Sequence, residues 1–301
     1  MALDLTGVMV AAVTPFTRGG AAVDHDWIPP HLRFLEQAGI SSVFTLGTNG
    51  EGPSVGVAER RQVVETVVAH KGGLGVVAGA GTAALPDTIR AANDALEAGA
   101  DAVAILPPFF EAQVDAAGLL SYFDAVLEAL PAPGRVLLYN IPHKAQVDIP
   151  DDVVLALIDR HGERVLGIKD SSGVVERTSR YLAIAERFPT FTVLAGADAH
   201  HDRLYAAGCG GAVTGLGNAV PHLVLGIQAA HRSGRDAGRV QRELERLRAL
   251  LAPYPSLAAL KQLVGITARL PVPCVRPPHR DLTAEEQREF EAAVVAYLRG
   301  E

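Results

Sequence analysis

Residues 165–173 read Val-Leu-Gly-Ile-Lys-Asp-Ser-Ser-Gly, a short apolar run that ends in a lysine and a polar turn. An amphipathic stretch at residues 174–188 follows it. A run that is apolar at nearly every position predicts a strand buried on both faces, as in a parallel sheet covered by helices. The segment therefore predicts one strand–helix unit of an α/β fold.

The same unit is predicted eight times along the chain. The strands are predicted at residues 8–13, 42–46, 75–79, 102–106, 135–139, 165–169, 192–195 and 212–214. The helices that follow them are predicted at residues 24–38, 58–70, 85–98, 117–130, 151–160, 174–188, 202–207 and 221–231. Eight such units within about 230 residues match a single closed (β/α)8 TIM barrel. An open, doubly wound sheet is the alternative, but no dinucleotide fingerprint follows the first strand.

Only helices are predicted after the eighth unit, at residues 236–251, 256–268 and 284–299. The sequence therefore predicts a barrel at residues 1–231 and a C-terminal helical extension at residues 232–301 that packs on it. Local signals support the helix ends. The candidate N-caps are Asp24, Asp87, Asp151 and Asp202, and the candidate glycines after helix ends are Gly39, Gly99 and Gly208.

Composition narrows the class of protein. Hydrophobic residues make up 49% of the chain and charged residues 20%, which is typical of a soluble globular protein. The net charge is -7 without a basic cluster, so nucleic acid and anionic membranes are poor partner predictions. No apolar run approaches the roughly 18 residues that span a bilayer, and no signal peptide is predicted. Cys209 and Cys274 fit no metal spacing and indicate a reducing, cytoplasmic setting.

Lysine is scarce, and barrel topology sorts the candidates. Chemistry in such a barrel sits at the C-terminal ends of the strands. Lys169 ends a predicted strand, whereas Lys144 falls in a loop after the fifth strand. Topology eliminates the other two lysines, Lys71 and Lys261, as candidates for the top face of the barrel. A lysine in a desolvated barrel mouth loses proton affinity and can condense with a ketone as a neutral amine. The alternative for Lys169 is a salt bridge to Asp170 or Asp198.

Two further segments offer polar groups at the same end of the barrel. Tyr139 is the one tyrosine of six that ends a predicted strand, where a phenol can shuttle protons. The alternative is a tyrosine that packs over the barrel with its hydroxyl on the backbone. In the loop after the second strand, the Gly47, Thr48 and Asn49 groups can bind a carboxylate, although such a sequence is also simply a good turn.

Together these segments resemble the dihydrodipicolinate synthase / N-acetylneuraminate lyase family of class I aldolases. The matching pieces cover nearly the whole chain and are Val-Thr-Pro-Phe at 13–16, Gly-Thr-Asn-Gly-Glu at 47–51, Tyr-Asn-Ile-Pro at 139–142, Gly-Ile-Lys-Asp-Ser-Ser-Gly at 167–173, Gly-Ala-Asp at 196–198, Gly-Leu-Gly-Asn at 215–218 and Val-Arg-Pro-Pro at 275–278. The resemblance implies a Schiff-base-forming lyase that acts on pyruvate or a related 2-oxo acid. It implies no cofactor or metal, and a homotetramer built from tight dimers.

The family's site residues map onto this chain by the same implication. Lys169 would form the imine, Tyr139 would donate and accept protons, and the Thr48–Asn49 turn would bind the substrate carboxylate. The rest of the substrate would lie near three residues of the seventh and eighth loops, which are Gly196, Asp198 and Gly215.

Three positions depart from dihydrodipicolinate synthases. Phe110 stands where those enzymes typically carry a tyrosine that reaches into the neighbouring subunit. Lys144 replaces an arginine and lacks its bidentate fork, and Asn49 replaces a second threonine. We therefore predict an aldolase or dehydratase of a 4-hydroxy- or 3-deoxy-2-oxo acid, with the synthase as alternative. Lys144 and His143 are candidates for the distal end of the substrate, although His143 equally fits an exposed loop residue.

Three other classes of function stay open. A metal-dependent aldolase would need ligands from the cluster Asp198, His200, His201 and Asp202, although adjacent histidines point to different faces. A phosphate-binding enzyme could use the amides of residues 215–217 and the following helix. A catalytically silent ligand-binding member is disfavoured because both Lys169 and Tyr139 are retained.

Overall fold

Eight parallel strands close into a barrel in chain order in the computed structural model, which describes residues 3–111 and 113–299. Each strand pairs with the next, and β1 pairs with β8 to complete the ring. The strands are β1 (Val8–Val10), β2 (Ser42–Thr45), β3 (Gly75–Gly79), β4 (Ala102–Ile105), β5 (Val136–Asn140), β6 (Val165–Asp170), β7 (Thr192–Ala195) and β8 (Gly211–Thr214). The closed ring confirms the predicted TIM barrel, and the doubly wound alternative is wrong.

Helices connect the strands and form the outer layer and the C-terminal extension. They are α1 (Ile28–Gln37), α2 (Val57–His70), α3 (Leu85–Glu97), α4 (Ala116–Ala129), α5 (Pro142–Ala145), α6 (Asp151–His161), α7 (Val175–Arg187), α8 (His201–Ala207), α9 (Pro221–Arg232), α10 (Gly238–Leu251), α11 (Ser256–Ala268) and α12 (Ala284–Arg299). The short helix α5 was predicted as loop, because one turn is too short to show a period of 3.6 residues.

The glycines predicted to follow helix ends are confirmed, whereas most of the predicted N-caps are not. Gly39, Gly99 and Gly208 follow α1, α3 and α8 with φ of 94°, 96° and 113°, the left-handed conformation that glycine tolerates. Of the predicted aspartate N-caps, Asp24 does precede the 3-10 turn His25–Trp27 that leads into α1, although its side chain makes no capping hydrogen bond. The other three lie inside their helices, and these are Asp87, Asp151 and Asp202. An aspartate cap with a hydrogen bond is found at α4, where Asp115 accepts one of 2.8 Å from the Gly118 amide.

The protein has two hydrophobic cores because strand side chains alternate between two faces. Outward residues pack against the helix layer and form the larger core. Inward residues fill the barrel itself, and include Met9, Ala11, Phe44, Val77, Ala102, Ala104, Leu137, Tyr139, Leu194 and Val213. A side chain at the upper end of the inner core therefore lies beneath the loops where barrel enzymes carry out chemistry.

The C-terminal extension packs on the barrel rather than trailing from it. Helix α10 contacts α9, and α12 contacts α10 and α11. Helix α11 is buried over most of its length from Ala258 to Gly265. Within the described ranges no single helix is long and apolar enough to span a membrane; α10 and α11 reach that length and hydropathy only together, across a bend of 118°.

Candidate active site

Lys169 and Tyr139 lie side by side at the upper end of the inner core. They are direct partners in the register between β5 and β6, so both side chains point into the barrel. Lys169 is 3% exposed, and its Nζ lies 4.0 Å from the centre of the Tyr139 ring and 4.7 Å from the centre of the Phe44 ring. The amine therefore sits between two aromatic faces, shielded from bulk water.

The Tyr139 hydroxyl is held by a side chain of the second loop. It lies 3.0 Å from Thr48 Oγ1, and either atom can be the donor. The phenol is thus joined to the turn predicted to bind a carboxylate, and not to a backbone carbonyl as the alternative had it. A hydroxyl pair of this kind can pass a proton between substrate and loop.

Asp170 is not the salt-bridge partner of Lys169. It follows Lys169 on β6 and so points outward, where its carboxylate accepts hydrogen bonds from Thr178 Oγ1 at 2.6 Å and from the Ser172 hydroxyl at 2.9 Å. Asn140, which follows Tyr139 on β5, donates to Asp170 Oδ1 at 3.1 Å and accepts from the Ile149 amide at 3.1 Å. This outward network joins the ends of β5 and β6 and fixes the register of the inward pair.

The turn after β2 has an unusual backbone conformation. Leu46 and Glu51 bound it, and both adopt positive φ, at 58° and 49°. A residue with a Cβ pays roughly 1–2 kcal/mol in this region, so tertiary contacts must hold the turn. Thr14 Oγ1 donates to the Gly50 carbonyl at 2.6 Å, and Arg60 Nη2 donates to the Gly52 carbonyl at 2.5 Å.

The strongest of these contacts is a buried ion pair. Lys261 Nζ of α11 lies 2.6 Å from Glu51 Oε1, and both side chains are fully buried. The ammonium also donates to the Cys274 carbonyl at 2.7 Å, and the Arg276 amide donates to Glu51 Oε2 at 2.9 Å. Burial lowers the pKa of Lys261, and the Glu51 carboxylate opposes that shift. Lys261 lies in a C-terminal helix as predicted, but its side chain reaches the top of the barrel and anchors the turn that carries Thr48.

Lys71 and Asp198 behave differently. Lys71 pairs with Asp101 at 3.3 Å, beside the start of β4, so its predicted place at the bottom of the barrel is confirmed. Asp198 Oδ2 accepts the Gly215 and Leu216 amides at 3.1 and 3.0 Å, so it does not pair with Lys169. These amides are the ones that a phosphate would have used, and the alternative of a phosphate site there is contradicted.

Asn49 lies with Gly215 and Asp198 on the far side of the turn. A Cβ on Gly215 would come within 2.4 Å of Asn49 Nδ2 and within 3.4 Å of Asp198 Oδ2, so a larger residue there would displace the Asn49 side chain. Gly196 donates its amide to the Asp170 carbonyl at 2.8 Å and packs against the end of β6. Of the predicted substrate residues, Gly196 therefore lies beside β6, the strand of Lys169, and Asp198 and Gly215 lie beside Asn49.

The aspartate–histidine cluster of the seventh loop does not gather as a ligand set. His201 is fully buried, with Nε2 3.6 Å from Asp198 Oδ1, and burial lowers its pKa. In the part of the chain that the structure describes, no group of three His, Cys, Asp or Glu side chains could hold a metal ion. The predicted metal cluster is thus reduced to one carboxylate–imidazole contact.

Two cavities open on either side of the turn after β2. The Tyr139 cavity, of about 260 Å³, is lined by Phe44, Leu46, Gly47, Thr48, Gly52, Pro53, Gly79, Gly81, Ala104, Leu106, Phe109, Tyr139, Ile141 and Lys144. The Asn49 cavity, of about 270 Å³, is lined by Asn49, Asp198, Gly215, Leu216, Arg248, Leu251, Ala252, Tyr254, Ser256 and Leu260. Thr48 and Asn49, predicted to act together, therefore face different cavities.

The three remaining predicted residues have different placements. Lys144 is exposed and lines the Tyr139 cavity. His143 is exposed on α5, and partial burial and the Lys144 charge lower its pKa. Phe110 is 81% exposed, while its neighbour Phe109 lines the Tyr139 cavity instead.

Sequence reasoning missed several residues that shape the site. Strand alternation could have found Asn140 and Asp170, since each follows a predicted catalytic residue and must point outward. Nothing local in the sequence marks Lys261, which lies 210 residues from Glu51. Residues 275–278 were recognised only as a family motif. The structure gives this motif a role, because the Arg276 amide donates a hydrogen bond to Glu51.

Comparisons with known proteins identify relatives over nearly the whole chain. The model of the dihydrodipicolinate synthetase family matches residues 4–297. An uncharacterized DapA-like lyase from Chloroflexus aurantiacus is 39% identical, over 98% of this chain and 97% of its own. A 4-hydroxy-tetrahydrodipicolinate synthase from Sorangium cellulosum is 34% identical, over 96% of this chain and 97% of its own.

The fold agrees with a solved relative as well. YagE, a prophage protein of the dihydrodipicolinic acid synthase family from E. coli K12 whose crystal structure holds pyruvate, superimposes with a TM-score of 0.89 at 26% identity, covering 97% of this chain and 98% of its own. The chain belongs to the dihydrodipicolinate synthetase family, whose members are lyases of the class I aldolase type.

Proposed function

We propose that this lyase forms a Schiff base between Lys169 and the keto group of a 2-oxo acid, and that it releases or consumes pyruvate or a close homologue. One observation carries the proposal. The Lys169 amine lies between the Phe44 and Tyr139 rings, with the Tyr139 hydroxyl 3.0 Å from Thr48 Oγ1. A shielded amine beside a held phenol is what imine chemistry needs, namely a nucleophile and a proton shuttle.

The residues divide the chemistry between them. The Lys169 nitrogen attacks the C2 carbonyl, and the carbinolamine loses water to give a protonated imine. Tyr139 gives its hydroxyl proton to the water that leaves the carbinolamine, and the resulting phenolate then takes the proton of the C4 hydroxyl while the C3–C4 bond breaks and the bonding electrons move into the imine to give an enamine. An aldehyde leaves, the enamine takes a proton at C3, and water releases pyruvate from the lysine.

The turn after β2 is proposed to bind the substrate carboxylate. Its small residues allow backbone amides to approach a ligand, and the Thr48 hydroxyl adds a donor on the side of the Tyr139 cavity. The Asn49 amide, predicted to act with Thr48, is available on the side of the Asn49 cavity. Gly196, Asp198 and Gly215 are proposed to lie near the C2 and C3 atoms of the substrate, and Lys144, His143 and Phe110 near its distal end. YagE, solved with pyruvate, supports a 2-oxo acid as ligand.

Condensation of pyruvate with aspartate semialdehyde is the second candidate. The Sorangium cellulosum relative, named 4-hydroxy-tetrahydrodipicolinate synthase, favours it. Asn49, Phe110 and Lys144 disfavour it, since they stand at three places where such synthases carry threonine, tyrosine and arginine. Efficient turnover with aspartate semialdehyde would establish the synthase and contradict the lyase preference.

Assembly and location belong to the same proposal. We place the enzyme in the cytoplasm as a homotetramer. The free thiols of Cys209 and Cys274 support a reducing compartment, and the 81% exposure of Phe110 supports a contact with a second subunit. Light scattering after size-exclusion chromatography measures the subunit number, and a monomer at micromolar concentration would contradict the tetramer.

Borohydride trapping tests the central step. The protein is incubated with pyruvate and reduced, and the intact mass and the modified peptide are then measured. We expect one reduced pyruvyl group per chain, on Lys169, and none in Lys169→Met. Lys71→Met serves as the matched control, because Lys71 pairs with Asp101 away from the site and should trap normally. Absence of an adduct in the wild-type protein, or an adduct that persists in Lys169→Met, would refute the imine.

A further inference from the structure

The position of Tyr139 determines where the substrate tail must go, provided that the proposed function holds. The C4 hydroxyl has to reach the Tyr139 hydroxyl, which sits at the wall of the Tyr139 cavity together with Thr48. Any substituent on C4 therefore emerges into this cavity. The Asn49 cavity lies across the turn and contains neither hydroxyl in its lining.

Most of the side chains that line the Tyr139 cavity are apolar. Phe44 closes one side, and Leu106, Phe109 and Ile141 form much of the rest, with glycine and alanine at the ends of β3 and β4. The Thr48 and Tyr139 hydroxyls contact each other, and the proposed mechanism commits them to the carboxylate and the C4 hydroxyl, so neither is left for further hydroxyl groups of a tail. The remaining polar side chain is that of Lys144, whose exposure places its ammonium at the opening.

The size of the cavity exceeds what a three-carbon acid needs. Its volume of about 260 Å³ lies just below the range of about 300–1,000 Å³ typical of pockets that enclose drug-sized ligands. A substrate tail with several hydroxyl groups would lose its hydrogen bonds to water in this cavity and would find no hydrogen-bond partners among the side chains of its walls. An apolar tail would instead exchange water for contacts with aromatic and aliphatic side chains.

We infer that the substrate is a 4-hydroxy-2-oxo acid with an apolar, aryl or branched-alkyl, substituent on C4. Cleavage of its C3–C4 bond gives pyruvate and an apolar aldehyde, with the proton of the C4 hydroxyl taken by Tyr139. Polyhydroxylated 3-deoxy-2-oxo sugar acids are then poor substrates, and Leu106 and Phe109 determine specificity.

A pair of substrates tests this inference. One is 4-hydroxy-2-oxo-4-phenylbutanoate, and the other is a 2-oxo-3-deoxyhexonate, which carries hydroxyl groups along its tail. Pyruvate release gives kcat/KM for each. We expect the phenyl substrate to be favoured by about tenfold or more, since stranded hydroxyls and lost apolar contacts both act against the sugar acid. Equal rates, or preference for the sugar acid, would overturn the inference.

Variants locate the preference in the cavity. Leu106→Asn and Phe109→Ser place polar groups on the wall, and each should reduce the ratio of the two kcat/KM values by about tenfold. Because the ratio is taken within one preparation, partial loss of folded enzyme cancels. Leu298→Asn is the control, since Leu298 is exposed on α12, and its ratio should equal that of the wild type. Unchanged ratios in both cavity variants would contradict the assignment.

The borohydride experiment separates the two levels of the argument. If pyruvate is trapped on Lys169 and the phenyl substrate has no advantage, the imine stands and the substrate class is wrong. If no adduct forms, the proposed function itself fails, and the substrate class fails with it.

Discussion

The buried pair of Glu51 and Lys261 predicts a measurable link between the C-terminal extension and the active site. In Lys261→Met a side chain of similar length fills the space but carries no charge. Glu51 then keeps a buried carboxylate whose remaining hydrogen bond comes from the Arg276 amide. Removing one partner of a buried ion pair typically costs about 3–5 kcal/mol, because the other charge is left uncompensated. We expect a loss of this size in urea unfolding at pH 7.

The double variant gives the sharper test. Glu51→Gln alone leaves the Lys261 ammonium with the Cys274 carbonyl and the Phe16 ring, so it should also destabilise strongly. Glu51→Gln with Lys261→Met removes both charges. The loss should then be smaller than the sum of the single losses by about 1–3 kcal/mol. Additive losses would refute the idea that the two charges stabilise each other.

Function supplies a second readout. The pair holds the turn that carries Thr48 and Asn49, so Lys261→Met should raise the half-saturating pyruvate concentration in borohydride trapping by about tenfold, equivalent to 1.4 kcal/mol. Arg280→Gln is the control. It breaks the Arg280–Glu286 pair, which lies on the surface of the same extension and should contribute little to stability because water screens it. Unchanged pyruvate binding in Lys261→Met would show that the turn does not depend on the extension.

Three further predictions concern the site and the pH range. Tyr139→Phe should lower kcat for pyruvate release by about 10²–10⁴-fold while trapping on Lys169 persists, and full activity would contradict the proton role. Asp170→Asn should lower the free energy of unfolding by about 1–3 kcal/mol, because a neutral amide cannot accept from Asn140, Ser172 and Thr178 alike; an unchanged urea midpoint would count against it. Burial lowers the pKa of His31 from 6.5 to about 4, so the unfolded state gains a proton first as the pH falls, and about 3 kcal/mol of stability present above pH 6.5 is lost by pH 4. Urea unfolding of His31→Gln should lack most of this loss, and parallel pH profiles would refute it.

The barrel and the inward pair could be predicted because their signals are local. Apolar runs of three to six residues mark the strands, and the last residue of such a run must lie at the upper rim of the barrel. The rule places Lys169 and Tyr139 at this rim, and the family resemblance then implies their roles. The observed ends of β5 and β6 lie one residue later than predicted, since Asn140 and Asp170 continue the strand pairing.

The supports of the site could not be predicted, since they depend on contacts far apart in sequence. The side chain of Lys261 reaches Glu51 through the packing of α11 on the barrel, and one sequence contains no sign of that packing. The separation of Thr48 and Asn49 into two cavities depends on the backbone of the turn, where Glu51 adopts positive φ without being glycine. Leu106 and Phe109, which we infer to determine substrate preference, reach the wall of the Tyr139 cavity only through the folding of the loop after β4.

Inward and outward side chains alternate along β5 and β6, so the correct strand register is needed both for stability and for activity. The inward residues Tyr139 and Lys169 are each followed by an outward polar residue, Asn140 and Asp170. A slip of β6 by one residue would turn Asp170 into the apolar barrel and Lys169 into the helix layer. Such a misfolded chain would leave the charges of Asp170 and Lys169 buried without partners, and it would also remove the proposed nucleophile from the site. Quality control that recognises unstable protein would thus also remove inactive enzyme.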